Sequence, residues 1–158
     1  MQSADLPAIA ARGIVKDFPA GDGVMRVLHG IDLSIMKGTL TMLVGPSGCG
    51  KTTLLSIMTG ILSPSAGSVD VGGIPITALR DAQKVTFRRR TLGFIFQQYN
   101  LLPSLSAAEN AAIPLIADGE PWTKAVDRAR DLLSELGLKD HAGKLPNQLS
   151  GGQQQRVA

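Results

Sequence analysis

The sequence predicts an α/β fold, and three observations predict it. Short strand-like runs fill the first third of the chain. A short apolar run, a Gly-rich stretch and a helical pattern follow one another from Leu40 to Thr59. Helical patterns then dominate from Ser106 onward. The chain has 158 residues, enough for one domain with a sizeable core.

The elements follow in order. Ile9–Phe18 and Val24–Ile35 read as strands joined by the turn residues Pro19-Ala20-Gly21-Asp22-Gly23. Leu40–Val44, bounded by Gly38 and Gly45, predicts a buried strand. Lys51–Thr59 predicts a helix stopped near Gly60. Ser63–Gly67 is a turn cluster, and Ser68–Ile76 is strand-like with a break at Gly72-Gly73. Asp81–Arg90 predicts a helix with Asp81 near its start, and Leu92–Phe96 another short strand. Ser106 and Glu109 have capping-box spacing. Pro121–Leu136 is the clearest helix, with Val126, Ala129, Leu132, Leu133 and Leu136 on one stripe and Gly137 at its stop. A last helix begins at Ser150.

Composition narrows the function classes. Apolar residues make up 44%, charged residues 18% and aromatic residues 4%, an ordinary globular balance whose core rests on Leu, Ile, Val and Ala. The net charge of +3 is too mild to indicate nucleic acid, and no nucleic-acid partner is expected. The one dense basic run, Arg88-Arg89-Arg90, reads as a solvated helix face or end. With a single cysteine, Cys49, no internal disulfide forms, which fits a reducing compartment. The opening MQSADLPAIAARGIVKD lacks the basic-then-apolar order of a signal peptide. No apolar run approaches the roughly 20 residues that span a bilayer, so any spanning at a membrane falls to another chain.

Gly45, Gly50, Lys51 and Thr52 match G-x-x-x-x-G-K-[ST], with a strand expected before the motif and a helix after it. At average residue frequencies such a match arises by chance in roughly one chain in two hundred of this length. The residue types suit phosphate. Glycines let backbone N–H groups turn toward an anion. The helix from Lys51 aims its positive dipole end at it. The Lys51 ammonium reaches the β- and γ-phosphate oxygens, and the Thr52 hydroxyl is a Mg²⁺ ligand. Cys49 lies within the loop. A thiol at a helix start can be activated toward redox chemistry, but the simpler reading is a small residue whose N–H faces phosphate.

A phosphate loop alone is shared by many nucleotide-binding proteins. Leu149-Ser150-Gly151-Gly152-Gln153, followed by Gln154, Gln155 and Arg156, comes about a hundred residues later. Ser150 and Gln153 have capping-box spacing, and two glycines open the backbone at that helix start. A hydroxyl, free N–H groups and a dipole end there make a second anion site.

With the phosphate loop, this stretch resembles the signature motif of ATP-binding cassette (ABC) ATPases, and the resemblance covers essentially the whole chain. GPSGCGKTTLL, GFIFQQYNLLPSLSAAENAAIPL and LPNQLSGGQQQRVA are most similar to cassettes of lipoprotein-release, macrolide-export and glycolipid-export systems. The resemblance implies a phosphate-loop NTPase fold of the ABC type, with an N-terminal antiparallel β subdomain and a helical subdomain. It implies a β-rich and phosphate-loop core over about 1–97, a helical part over about 98–150, and the signature with its helix start over 149–158.

ATP and Mg²⁺ are the implied cofactors. Gly45, Pro46, Ser47, Gly48, Cys49, Gly50, Lys51, Thr52 and Thr53 would bind the phosphates. Phe18 would stack on adenine, where the family usually has Tyr; a core aromatic is the plainer reading. Gln97 would touch Mg²⁺ and the attacking water, so that Lys51 and Gln97 carry the chemistry in this stretch and Thr52 and Gln97 the metal. Ser150, Gly151, Gly152 and Gln153 would reach the γ-phosphate held by a second cassette in a head-to-tail dimer. Tyr99-Asn100-Leu101-Leu102-Pro103 lies where the family meets an integral-membrane permease, in many systems joined by a periplasmic adaptor. The implied location is the cytoplasmic face of the inner membrane, peripheral through the permease.

The family's Walker B strand, with its Mg²⁺-associated Asp and catalytic Glu, and its switch His would follow the signature. Neither His29 nor His141 fits that role. The expectation is therefore an incomplete cassette, as in a truncated gene model: unstable alone, with Leu40–Val44 lacking strand neighbours, and with negligible ATP hydrolysis. Two other readings stay open. One is a nucleotide-binding fragment without hydrolysis. The other is a soluble ABC-type ATPase in DNA repair or translation, although repair proteins usually carry coiled-coil insertions and translation factors two cassettes.

Overall fold

A computed structural model describes residues 6–158. The chain divides into two compact units, Met1–Leu92 and Gly93–Ala158.

The first unit is built on an antiparallel sheet. Strands β1 (Ile9–Ala20) and β2 (Gly23–Ile35) form a long hairpin. β3 (Ala66–Val71) pairs with the other edge of β1, and the two-residue β4 (Ile74–Pro75) closes on β3 through the Gly72-Gly73 turn. The order is β2-β1-β3-β4. Alternation puts Ala11, Ile14, Leu28, Val69 and Val71 on the buried face. Helix α1 (Lys51–Met58) covers that face with Leu54, Ile57 and Met58; α2 (Asp81–Thr91) adds Phe87. The register shifts between Arg12 and Val15, and there the Gly13 N–H donates to the Asp32 carboxylate at 2.7 Å. Arg88, from the basic run, donates to the Gly60 carbonyl at 2.7 Å and so ties the end of α2 to the stop of α1.

Two predicted strands are not strands. Leu40–Val44 is irregular, with Leu40 94%, Met42 79% and Val44 81% exposed. Leu92–Phe96 is also irregular, with Ile95 68% exposed. An apolar run becomes a strand only when another backbone accepts its N–H groups. Among the described residues, the only sheet is the four-stranded one, and neither run joins it.

The second unit is helical: α3 (Ala107–Ala117), α4 (Trp122–Glu135) and α5 (Gly151–Val157), with single 3-10 turns at Lys139–His141 and Pro146–Gln148. Small residues line its core. Ala107, Ala108 and Ala112 of α3 and Ala125 and Ala129 of α4 are buried, so the two helices approach closely around Val126, Leu133, Leu138, Leu149 and Val157. The predicted stripe is narrower than expected. Val126, Ala129 and Leu133 are buried, but Leu132 and Leu136 are half exposed, and Ala125 takes the place beside Val126. The antiparallel sheet and the helical unit bear out the α/β class expected.

Candidate functional site

The Gly45–Thr53 loop leads into α1. Gly48 and Gly50 adopt φ of +80° and +89°, and a side chain at Gly50 would also strike β2, its Cβ lying 2.8 Å from Leu28 Cδ2. Glycine is thus required twice over at Gly50, by dihedral and by space. The first intrahelical acceptor is the Gly50 carbonyl, bonded by Leu54 N–H at 2.9 Å. The N–H groups of Lys51, Thr52 and Thr53 fall in the first turn, where the helix has no partner for them. No side chain caps this end and no acidic residue lies in its first turn. Two later helix starts carry reciprocal side-chain caps. Ser106 and Glu109 cap α3 reciprocally, and Ser150 and Gln153 do so for α5. The start of α1 lacks such a cap and follows a Gly-rich turn.

The Lys51 ammonium completes the loop. It donates to the carbonyls of Gly45 at 2.8 Å and Pro46 at 2.6 Å, and lies 3.6 Å from Cys49 Sγ. A lysine has three donors, so the loop's own acceptors occupy the full set. The charged oxygens of a phosphate would accept from those donors more strongly than these neutral carbonyls do. The residues fit such a ligand: open N–H groups, a dipole end and a cation converge in one loop. Thr52 is exposed at the mouth of the helix, and Ser47 and Cys49 are exposed on the loop.

Phe18 lies on β1, opposite Met25 of β2, with the Lys16 ammonium 5.1 Å from its ring centroid. It is half-buried and shares its strand pair with Val27 and Leu28, the residues against which Gly50 packs. Beside it, Arg26 holds Asp17 in a two-pronged pair at 2.8 and 3.0 Å. The hydrogen bonds from Arg26 keep the Asp17 carboxyl below the usual range.

In the helical unit, Gln97 is exposed on a turn. The turn is followed by Tyr99 and Asn100, both in the left-handed region at φ 52° and 51°. Leu102 is 49% exposed, while Tyr99 is half-buried. At the other end of the unit, the Ser150 N–H donates to Gln153 Oε1 at 2.8 Å, and Gln153 N–H reaches Ser150 Oγ at 3.4 Å. Serine Oγ accepts there, so its own hydrogen remains available to an anion, as do the N–H groups of Gly151 and Gly152. Gln154 Nε2 donates to the carbonyls of Pro146 and Leu149, anchoring α5 to the turn before it.

Sequence reasoning missed Asn110. It is the one buried polar side chain among the described residues, at 7% exposure. Its Oδ1 accepts from Leu102 N–H at 2.7 Å, and its Nδ2 donates to the carbonyls of Leu102, Leu105 and Ser106. Its only signal was its place directly after Glu109 of the capping box. For metal, no cluster of three or more His, Cys, Asp or Glu occurs among the described residues. A hydroxyl and phosphate oxygens are the hard donors on hand, and Mg²⁺ commonly takes one or two protein ligands plus phosphate and water.

A Gly-rich turn leading into an uncapped helix, with a lysine closing over the turn, defines a phosphate-loop nucleotide-binding protein. The chain matches the family model described as ABC transporter over residues 28–158, and it belongs to that family. It is 44% identical over 158 residues to the macrolide export ATP-binding/permease protein MacB 1/2 of Paracoccus denitrificans, spanning 100% of this chain and 24% of that protein. It is 47% identical over 151 residues to the lipoprotein-releasing system ATP-binding protein LolD 1 of Caulobacter vibrioides, spanning 95% of this chain and 64% of that protein. Among solved structures it resembles the ATP-binding cassette MJ0796 in a dimeric post-hydrolysis state bound to ADP and Pi. The TM-score is 0.87 at 36% identity, over 94% of this chain and 66% of that one. The chain therefore spans from about a quarter to about two thirds of these relatives' lengths.

Proposed function

We propose that this chain is the phosphate-gripping and signature part of the ATPase subunit of an ABC exporter. The observation that carries the reading is the open first turn of α1 beneath Lys51, in a chain that also bears a capped Ser150-Gly151-Gly152-Gln153 helix start. The names of its relatives, lipoprotein release and macrolide export, support the exporter class.

In this reading ATP is bound through the N–H groups of Gly45–Thr53, with Lys51 on the β- and γ-phosphates and Phe18 against the base. Bound Mg²⁺, with Thr52 and Gln97 as its protein ligands, would neutralise developing charge on the phosphates. Gln97 orients the attacking water. Ser150–Gln153 serve the γ-phosphate of a second cassette, paired head to tail; the dimeric state of the solved relative supports this. An integral-membrane permease is the partner, with a periplasmic adaptor acting through it, and the site of action is the cytoplasmic face of the inner membrane. Residues 151–158, GGQQQRVA, supply no carboxylate after Ser150. Phosphoryl transfer to water calls for such a base, so the chain by itself is expected to bind ATP with negligible turnover.

The test is affinity purification of the whole protein from membranes, followed by ATPase assay. Co-purification of a permease with ATP turnover is the expected result. Co-purification with ribosomes, or the absence of nucleotide binding, would overturn the reading.

A further inference from the structure

The bend after Gln97 lies directly before a backbone stretch gripped by one side chain. Tyr99 and Asn100 occupy consecutive left-handed conformations, at φ 52° and 51°. Asparagine enters that region more readily than most residues, but a tyrosine there is uncommon, and two in succession call for support from their surroundings. Asn110 supplies it. Its amide grips Leu102 by both N–H and C=O, at 2.7 and 3.1 Å, and extends to the Leu105 and Ser106 carbonyls at 2.9 and 3.0 Å. All of these partners are backbone atoms, so the clamp fixes chain shape independently of the loop's side chains. At 7% exposure, Asn110 meets little competition from water.

The bend has a destination. It turns the Tyr99 side chain so that its hydroxyl stands beside the signature start: a Cβ placed on Gly151 would lie 4.0 Å from the Tyr99 oxygen. Gly151 is the first residue of α5, next to the Ser150–Gln153 cap. The segment carrying Gln97 and the segment carrying the signature thus meet through Tyr99.

We infer that Asn110 is a positioning residue. It holds the Tyr99–Asn100 bend so that Tyr99 rests against Gly151, setting the signature's geometry from the Gln97 loop. The inference rests on the roles proposed above for Gln97 and the signature. Without the clamp, Tyr99 and Asn100 relax toward ordinary dihedrals and the ring leaves Gly151.

The experiment compares Asn110→Ala, Asn110→Ala with Asn100→Gly, and Tyr99→Ala, in the full-length protein assembled with its permease. Glycine at position 100 accepts the left-handed shape without the clamp. Hydrogen exchange at the Leu102 amide reads the clamp itself, and should quicken about tenfold in Asn110→Ala. Asn110→Ala should lower kcat about tenfold with the ATP KM within about twofold, and adding Asn100→Gly should recover most of the loss. Tyr99→Ala should give the same split, and decides the matter should Asn110→Ala fail to fold. Unchanged Leu102 exchange, unchanged kcat, or kcat and KM worsening together without recovery by Asn100→Gly would each overturn the inference. A wild-type assembly without ATP turnover would count against the proposed function, and Leu102 exchange would still report on Asn110.

Discussion

The Lys51 ammonium donates to the carbonyl of Gly45 at 2.8 Å, closing the phosphate loop from its last turn back onto its first residue. The lysine is therefore stored over the place where phosphate is expected, bonded to groups that a more strongly accepting oxygen displaces.

Replacing this cation tests the site directly. Lys51→Met should weaken ATP binding by about tenfold to a hundredfold, the range set by one hydrogen bond to a charged group. Titration with a fluorescent ATP analogue measures it. Affinity equal to wild type would place the phosphates somewhere other than this loop.

Gly50 is constrained both by φ +89° and by the Leu28 and Val27 side chains. Gly50→Ala should destabilise the sheet unit by about 1–3 kcal/mol. Gly23→Ala is the control, since its nearest neighbour to a built Cβ is the Ala20 carbonyl at 3.7 Å and its φ is ordinary. Denaturant melts that fall equally for both variants would contradict this account.

The cap of α3 predicts a pH effect. Glu109 accepts from Ser106 N–H at 2.8 Å and Ser106 Oγ at 2.7 Å, and the backbone bond foremost, then the hydroxyl, holds its carboxyl below the usual glutamate range. A lowered pKa means that the stabilisation is complete above the ordinary glutamate value and is lost as pH falls through the lowered one. The stability advantage of wild type over Glu109→Gln should be constant near neutrality and shrink below about pH 4. Helical circular dichroism across a pH series measures it, and an advantage that grows toward acid would refute it.

The apolar run before the loop is expected to affect solubility rather than stability. Met42 is 79% exposed, and it belongs to a stretch with Leu40 and Val44 that offers unpaired backbone and apolar side chains together. In the 158-residue chain, Met42→Lys should reduce light scattering on concentration while shifting stability by less than about 0.5 kcal/mol. A large loss of stability would show that Met42 is packed in solution.

What could be read in advance was whatever is decided within a few residues. The caps Ser106–Glu109 and Ser150–Gln153 and the Gly48 and Gly50 turn depend on neighbours three or four positions away, and the hairpin of β1 and β2 was marked by its turn residues Gly21 and Asp22. Leu40–Val44 and Leu92–Phe96 have strand composition, but a strand is a relation between two backbones, and the second backbone is not written in the run itself. The α4 stripe erred for a similar reason. Periodicity marks a face, while the width of the buried part depends on how closely alanines let α3 approach. Asn110 was illegible because its partners are main-chain atoms up to eight residues earlier, whose identity carries no trace of the contact.

The first turn of α3 is grasped from two directions. Its Ala107 and Ala108 amides donate to the Lys144 and Ala142 carbonyls at 2.8 and 2.9 Å, and its Asn110 side chain holds Leu102 at 2.7 Å. The stretch ahead of Ser150 and the stretch behind Gln97 thus hang on one pivot, a single helical turn. Both stretches are thereby tied to the same turn, as two arms are to one balance. Because nearly every grip on it is main chain, drift in the loop sequences on either arm leaves the linkage intact.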